Sequence, residues 1–285
     1  MVITCWNGEK LLKQNLPKVI QASENPGNKI KEIIVVDDGS TDGSVEYVNS
    51  IKASNLPAGK AGHQSIKVGL IKHDKNYGYS ETCNTGVREA DEELVAILNL
   101  DVVPSEDFLE AALPHFADEK VFAVSFNEGK FGPGKLEWRD GFLEIVPTQV
   151  ANQTSETDWP NGGSSIFRKD IWEKLHGMDE LFLPFYFEDM DLGFRARKAG
   201  FKCLWEPKAK VEHQHEATIN PQNFSPKYID SIKQRNHLLL TWKNLTDLKI
   251  FLSHSFNFIK KCLFHPKYLK IVFLALERIV SSQPK

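Results

Sequence analysis

The chain has 285 residues, with 35 Lys+Arg against 38 Asp+Glu for a formal charge of −3, and 41% of it is hydrophobic. That composition suits a sizeable core, excludes disordered and collagen-like chains, and its charge balance speaks against a nucleic-acid partner. The average conceals an asymmetry: residues 226–285 carry nine Lys and two Arg against two Asp and one Glu, a net +8, so residues 1–225 sum to −11.

The opening MVITCWNGEK has too few apolar residues for a signal peptide or a membrane span. Cys5, Cys83, Cys203 and Cys262 are too far apart for a CxxC pair and read as reduced thiols. Both point to the cytoplasm, with the inner face of the cell membrane as a peripheral site.

Apolar Val/Ile runs alternate with helical spacing over the first hundred residues, the mark of βαβ units around a buried parallel sheet. The predicted strands are Val2–Thr4, Ile33–Val36, Val68–Lys72 and Leu94–Leu98. The predicted helices between them are Glu9–Ala22, Ser44–Lys52 and Ser80–Glu89, with a turn-rich loop over Asn55–Gln64. Next come a helix over Glu106–Phe116 and strands Phe122–Phe126 and Leu143–Val146 around the Gly129–Gly134 loop. Lys169–Leu175 and Met190–Ala199 read as helices, Cys203–Trp205 and Val211–His213 as strands, and everything from Pro226 as basic helix.

Four clusters carry chemistry. The first strand-end cluster, Asp37-Asp38-Gly39-Ser40-Thr41-Asp42, lies where open α/β sheets bind ligands, and its acids either accept from a base or ribose or cap the next helix. Neither GxGxxG nor GxxxxGK[ST] occurs. Asn99-Leu100-Asp101 again ends a strand on a carboxylate, which either turns the chain before Pro104 or holds Mg2+ or Mn2+ with a diphosphate. In Phe185-Tyr186-Phe187-Glu188-Asp189-Met190-Asp191 three acids follow aromatics at a helix start. Capping explains Glu188, whereas desolvation by the aromatics suits Asp189 as a general base. In Val211-Glu212-His213-Gln214-His215, strand alternation puts both imidazoles on one face, for a metal, a phosphate or a structural role.

Together these residues resemble a family 2 glycosyltransferase with the GT-A fold. Ile3-Thr4-Cys5-Trp6-Asn7 is similar to that family's opening strand and VVDDGSTDGS to its nucleotide strand. Asn76-Tyr77-Gly78, Asn84-Thr85-Gly86, Asn99-Leu100-Asp101 in place of DxD, Gly162-Gly163 before Phe167-Arg168, and Glu188-Asp189 follow in the family's order over about residues 1–218. The resemblance implies a mixed sheet flanked by helices, with a catalytic domain over 1–225 (a nucleotide half, 1–101, and an acceptor half, 102–225) and a helical extension over 226–285. It implies inverting transfer from a UDP- or dTDP-sugar to a glycan or lipid-linked acceptor. Thr4, Trp6, Asn7, Asp38, Asn84 and Asn99 would bind the nucleotide, Asp101 and His213 (or His215) the metal, and Gly162, Gly163 and Asp191 the acceptor. Asp189 would be the base, with Glu188 beside it.

The Asn-x-Asp form looks most like rhamnosyl- and galactofuranosyltransferases of bacterial surface polysaccharide. A sugar nucleotidyltransferase would need a Gly-rich basic loop near the first strand, where only Gly8, Glu9 and Lys10 stand. A non-catalytic sugar-nucleotide-binding module is the other alternative, against which Asp38, Asp101 and Asp189 together argue. In the extension, Phe251, Phe256, Phe258, Ile259, Leu263 and Phe264 interleave with Lys260, Lys261, Lys267 and Lys270. That pattern suits an anionic membrane surface or helices packed on the domain with a solvated Lys face.

Overall fold

The computed structural model describes residues 1–53, 66–130, 132–146, 148–214 and 223–282, so the Asn55–Gln64 loop and His215 lie outside the described residues. Four strands, β1 (Val2–Cys5), β2 (Glu32–Asp37), β3 (Lys67–Lys72) and β4 (Leu94–Asn99), pair in parallel in the order β3-β2-β1-β4. Helices α1 (Glu9–Ser23), α2 (Ser44–Ala53) and α3 (Tyr79–Glu89) connect them. The apolar runs of β1, β2 and β4 follow from burial on both faces, whereas β3 is the partly exposed edge. Ile3, Ile33 and Val35 share a core with Leu12, Leu16 and Val19 of α1, whereas Val2, Ile34 and Val36 pack with Cys83 and Val87 of α3.

The second half adds β5 (Val102–Pro104), β6 (Val121–Asn127), β7 (Lys135–Arg139), β8 (Phe142–Val146), β9 (Ser155–Thr157) and β10 (Ser164–Arg168). It closes with α4 (Lys169–Lys174), α5 (Glu188–Lys198) and β11 (Lys202–His213). From β4 the sheet continues through β10, β6, β11 and β5, with β9 also on β11, and β10 runs antiparallel to both its neighbours. The result is the mixed, helix-flanked sheet that the resemblance implies, while β7 and β8 form a separate hairpin.

Three expectations are corrected. Glu106–Phe116 is not a helix but a series of turns leading into a short 3-10 helix, Leu113–Ala117. Its polar backbone is satisfied from outside: Asn25 and Asn28 side chains donate to the Glu106 carbonyl, and Asn28 accepts from Leu109 N–H. Pro114 also withholds a helical donor. The two strands expected over Cys203–Trp205 and Val211–His213 are one, β11, broken in register between Glu206 and Lys210 where Pro207 intervenes. Strands β5, β7, β9 and β10 are additional to those predicted.

The chain beyond Pro226 is helical, as expected: α6 (Pro226–Asn244), α7 (Leu248–Phe264) and α8 (Tyr268–Ser281). Leu238, Leu239 and Leu240 of α6 form a third core with Tyr268, Ile271 and Ala275 of α8 and with Phe182, Phe187 and Leu143. Among the described residues no helix is long and apolar enough to cross a membrane.

Packing of α3 on β1 depends on Gly86, where an added Cβ would lie 2.3 Å from Val2 Cγ1. Gly86→Ala is therefore expected to lower stability by about 1–3 kcal/mol, despite the better helix propensity of alanine. Urea unfolding checks this as a lower midpoint at unchanged slope.

Candidate active site

The carboxyl ends of β1, β2, β3 and β4 open into one cleft of 720 Å³. The loops behind it are tied to one another by short polar side chains. Asn7, with φ of +48°, accepts from Thr41 N–H through its side chain, and its own N–H donates to Ser40 Oγ. The open amino terminus of α1 is satisfied across the same gap: Gly8 N–H donates to Ser44 Oγ and Glu9 N–H to Asp42 Oδ2. Asp38 reaches the opposite way. Its carboxylate accepts from Tyr77 N–H at 2.9 Å, Gly78 N–H at 2.8 Å and His73 Nδ1 at 2.8 Å.

Thr4, Trp6, Asp38, Asn99, Asp101, Gly162, Gly163, Glu188, Asp189 and His213 all line this cleft. Three predicted site residues do not. Asn7 is occupied with the Ser40–Thr41 turn. Asn84 binds the Met178 backbone through both ends of its amide, at 2.8 and 2.9 Å, so it joins α3 to the segment before α5. Asp191 is fully buried between Arg195, at 2.7 Å, and Lys243 of α6, at 2.8 Å. Each carries a polar side chain that the sequence pattern cannot tell from a ligand, but the fold spends it on internal partners.

Asn99 and Asp101 form the floor. Asn99 Oδ1 accepts from Tyr79 Oη at 2.9 Å, and its N–H donates to Gly163 carbonyl. A Cβ at Gly163 would lie 2.2 Å from the Asn99 side chain, so the Gly162-Gly163 pair lets β10 pass this close. Antiparallel pairing of β5 with β11 sets Val102 opposite His213, which brings His213 Nε2 to 3.3 Å from Asp101 Oδ1. His213 Nδ1 lies 3.1 Å from Glu128, an acid at the end of β6 that the sequence reading missed. Burial would lower the His213 pKa, but the hydrogen bonds and charges of Asp101 and Glu128 outweigh it and raise it to about 9. Among the described residues no three His, Cys, Asp or Glu side chains are grouped to hold a metal by themselves. The carboxylate of Asp101, and the imidazole of His213 once it has given up its proton, are nonetheless oxygen and nitrogen donors of the kind Mn2+ accepts, if substrate oxygens complete the shell.

The opposite wall carries the paired acids. Tyr186 and Phe187 both adopt left-handed backbone, φ +72° and +78°, immediately before α5. Such consecutive strain needs external support. It comes from α6, where the buried Asn236 amide donates to the carbonyls of Phe182, Phe185 and Tyr186 at 2.6, 2.9 and 2.9 Å, and Arg235 donates to that of Leu183. The turn delivers Asp189 to the cleft, where it accepts from Gly162 N–H at 3.2 Å and Met190 N–H at 2.8 Å. Burial raises the Asp189 pKa to about 6 against those hydrogen bonds. Burial, and then the Asp189 charge, push Glu188 well above the carboxylate range. Between these two walls stand Trp6, Phe185, Phe224 and Tyr228, the last two stacked at 5.7 Å. Tyr228 belongs to α6, so the C-terminal part of the chain contributes directly to the site.

The family model described as Glycosyl transferase family 2 matches residues 1–175. Pre-mycofactocin glycosyltransferase of Mycobacterium tuberculosis is 28% identical over 193 residues, covering 66% of this chain and 38% of that protein. Poly-beta-1,6-N-acetyl-D-glucosamine synthase of Staphylococcus aureus is 27% identical over 214 residues, covering 73% and 48%. The chain thus spans less than half the length of these two curated relatives. Among solved structures, the mannosyltransferase PcManGT from Pyrobaculum calidifontis in complex with GDP-Man and Mn2+ superposes with a TM-score of 0.59. It is 18% identical, with 100% of this chain and 75% of that one covered.

Asn236→Asp would set a carboxylate against three carbonyl oxygens. It is expected to cost about 2–4 kcal/mol in chemical denaturation, more than Asn236→Ala, which only removes the donors.

Proposed function

The chain belongs to glycosyl transferase family 2, and from that premise we propose that it transfers a sugar, with inversion, from a nucleotide-diphosphate donor to a hydroxyl of a glycan or lipid-linked acceptor. The observation that carries this reading is a single cleft with strand-end polar groups on one wall and, on the other, an ionisable Asp189 held on a strained turn. Asp38, Thr4 and Trp6 face the nucleoside, and Asn99 and Asp101 the diphosphate. Asp101 and His213 would hold Mg2+ or Mn2+, which when bound supplies positive charge to the diphosphate oxygens.

Asp189 takes the proton of the acceptor hydroxyl as its oxygen forms the bond to the anomeric carbon. The bond from that carbon to the diphosphate oxygen breaks on the opposite face, and its electron pair leaves with the nucleoside diphosphate. Attack from the face opposite the leaving group inverts the anomeric centre. The aromatic wall of Phe185, Phe224 and Tyr228 suits the apolar face of a sugar ring. Similarity to a poly-beta-1,6-N-acetyl-D-glucosamine synthase supports a glycan acceptor. The Asn99-x-Asp101 form, with Gly162-Gly163 and Glu188-Asp189, favours rhamnosyl or galactofuranosyl transfer in bacterial surface polysaccharide.

Asp189→Asn keeps the shape and removes the proton acceptor, so donor affinity should persist while turnover falls by roughly 10² to 10⁴. Only the ionised carboxylate accepts a proton. The kcat/KM of the native enzyme should therefore be level above pH 6 and fall about tenfold per unit below it. A variant that loses donor affinity but keeps turnover would move Asp189 out of the base role.

Two protein ligands are too few for a tight site, so Mn2+ should bind weakly alone and much more tightly with the right nucleoside diphosphate. Calorimetric Mn2+ titrations with UDP, dTDP or GDP present identify the base as the one that tightens binding. Equal Mn2+ affinity with and without every nucleotide, or no loss in Asp101→Ala, would contradict the assignment.

A further inference from the structure

Helices α7 and α8 bury only one side of themselves. Tyr268, Ile271 and Ala275 of α8 pack into the α6 core, and His254 of α7 is buried. On α7, Leu248, Leu252, Phe256, Ile259 and Leu263 recur at helical intervals and are 58–72% exposed. On α8, Leu269, Phe273, Leu276 and Val280 make a second such stripe, 51–75% exposed. Nine large apolar side chains in two stripes far exceed the scattered apolar exposure normal on a soluble surface.

The charge around these stripes selects what covers them. Residues 248–282 carry five Lys and one Arg against one Glu, a net +5. Lys249 and Lys260 border the α7 stripe in helical projection, and both are exposed. A second copy placed face to face would bring two such positive surfaces together. An anionic lipid surface instead meets the lysines with phosphates and the stripes with the acyl boundary. Neither helix is long and apolar enough to span a bilayer, so each would lie in the interface plane.

We propose that α7 and α8 together dock the protein on the surface of an anionic bilayer. This gives the proposed lipid-linked acceptor a physical route to the cleft, since α6 both packs against α8 and contributes Tyr228 to the site. The docking itself does not depend on the transfer reaction.

The test is co-sedimentation of the full chain with vesicles of phosphatidylcholine, with or without phosphatidylglycerol. Binding is expected only to the anionic vesicles. It should fall at least about tenfold when salt rises from ~0.1 M to ~1 M, as the Debye length shrinks from about 10 to 3 Å. The double variant Lys249→Glu/Lys260→Glu should abolish the anionic preference. Phe256→Ser/Phe273→Ser should cut binding at least about tenfold. Both pairs are exposed, so melting temperatures should stay unchanged. No binding, equal binding to neutral vesicles, or full binding by the Phe256→Ser/Phe273→Ser protein would overturn the proposal. So would a dimer in sedimentation velocity that this same variant dissociates, which would assign the stripes to a second copy. Vesicle binding by a native chain that transfers no sugar from any nucleotide-diphosphate donor would count against the function proposed above and leave the docking standing.

Discussion

The shape of the cleft depends on one carboxylate that holds two strand-end loops together. Asp38 follows β2, is buried, and accepts hydrogen bonds from the loop after β3. A carboxylate only accepts, so His73 Nδ1 must carry its proton toward Asp38, while Nε2 lies 3.1 Å from Thr85 on α3. The backbone must come this close for the bonds to form. Gly39 permits it, because its φ is +70° and a Cβ would lie 2.5 Å from the Lys75 backbone. Three of roughly four lone-pair positions on Asp38 are thereby used. Under the proposed function this leaves one acceptor for one N–H of a base, so Asp38 would recognise the nucleoside through a single bond while fixing the loop that shapes its pocket.

A second constraint comes from the far end of the chain. The strained Tyr186–Phe187 turn is braced by the Asn236 amide, and α6 also sends Lys243 to Asp179 and Asp191 on either side of the Glu188-Asp189 pair. The segment that aims the acids is thus braced by a helix about fifty residues later, beyond the 1–175 family match. Helix α6 links three functions in one element: it supports the turn, supplies Tyr228 to the aromatic wall, and carries α8.

Much of this was legible in the sequence where a physical pattern is local. The inner parallel strands announced themselves because strands covered on both faces read as apolar runs, IIVV in β2 and LVAIL in β4, and the acids Asp38, Asp101 and Asp189 stood out by their place at element ends. Legibility fails where the deciding partner is distant. Glu106–Phe116 has helical spacing, but Asn25 and Asn28 satisfy its backbone instead. Strands β5, β9 and β10 are three to five residues long and exist only as partners of longer strands. Glu128, Tyr79, Asn161, Phe224 and Tyr228 also reach the cleft, and no motif marks Glu128, Phe224 or Tyr228. Asn7, Asn84 and Asp191 look like ligands for the same reason: nothing local reveals that Thr41, Met178 and Lys243 claim them.

The cleft gathers five carboxyl groups, Asp38, Asp101, Glu128, Glu188 and Asp189, around a site proposed to bind a diphosphate. Left ionised and bare, they would repel it. The structure disposes of them one at a time. Asp38 is surrounded by donors. Burial, and then the charge of Asp189, shift Glu188 toward its neutral form. Asp101 and Glu128 share the His213 imidazolium, whose raised pKa measures how strongly they need it. Burial brings Asp189 to titrate near 6, which under the proposed function leaves it ionised at neutral pH and still basic enough to take a proton. A diphosphate arriving beside Asp101 and Glu128 finds one cation, His213, already committed to two carboxylates. Under the proposed function, a divalent cation would enter with the nucleotide rather than before it, because the diphosphate oxygens complete its shell and it must take the place of the His213 proton between the two carboxylates.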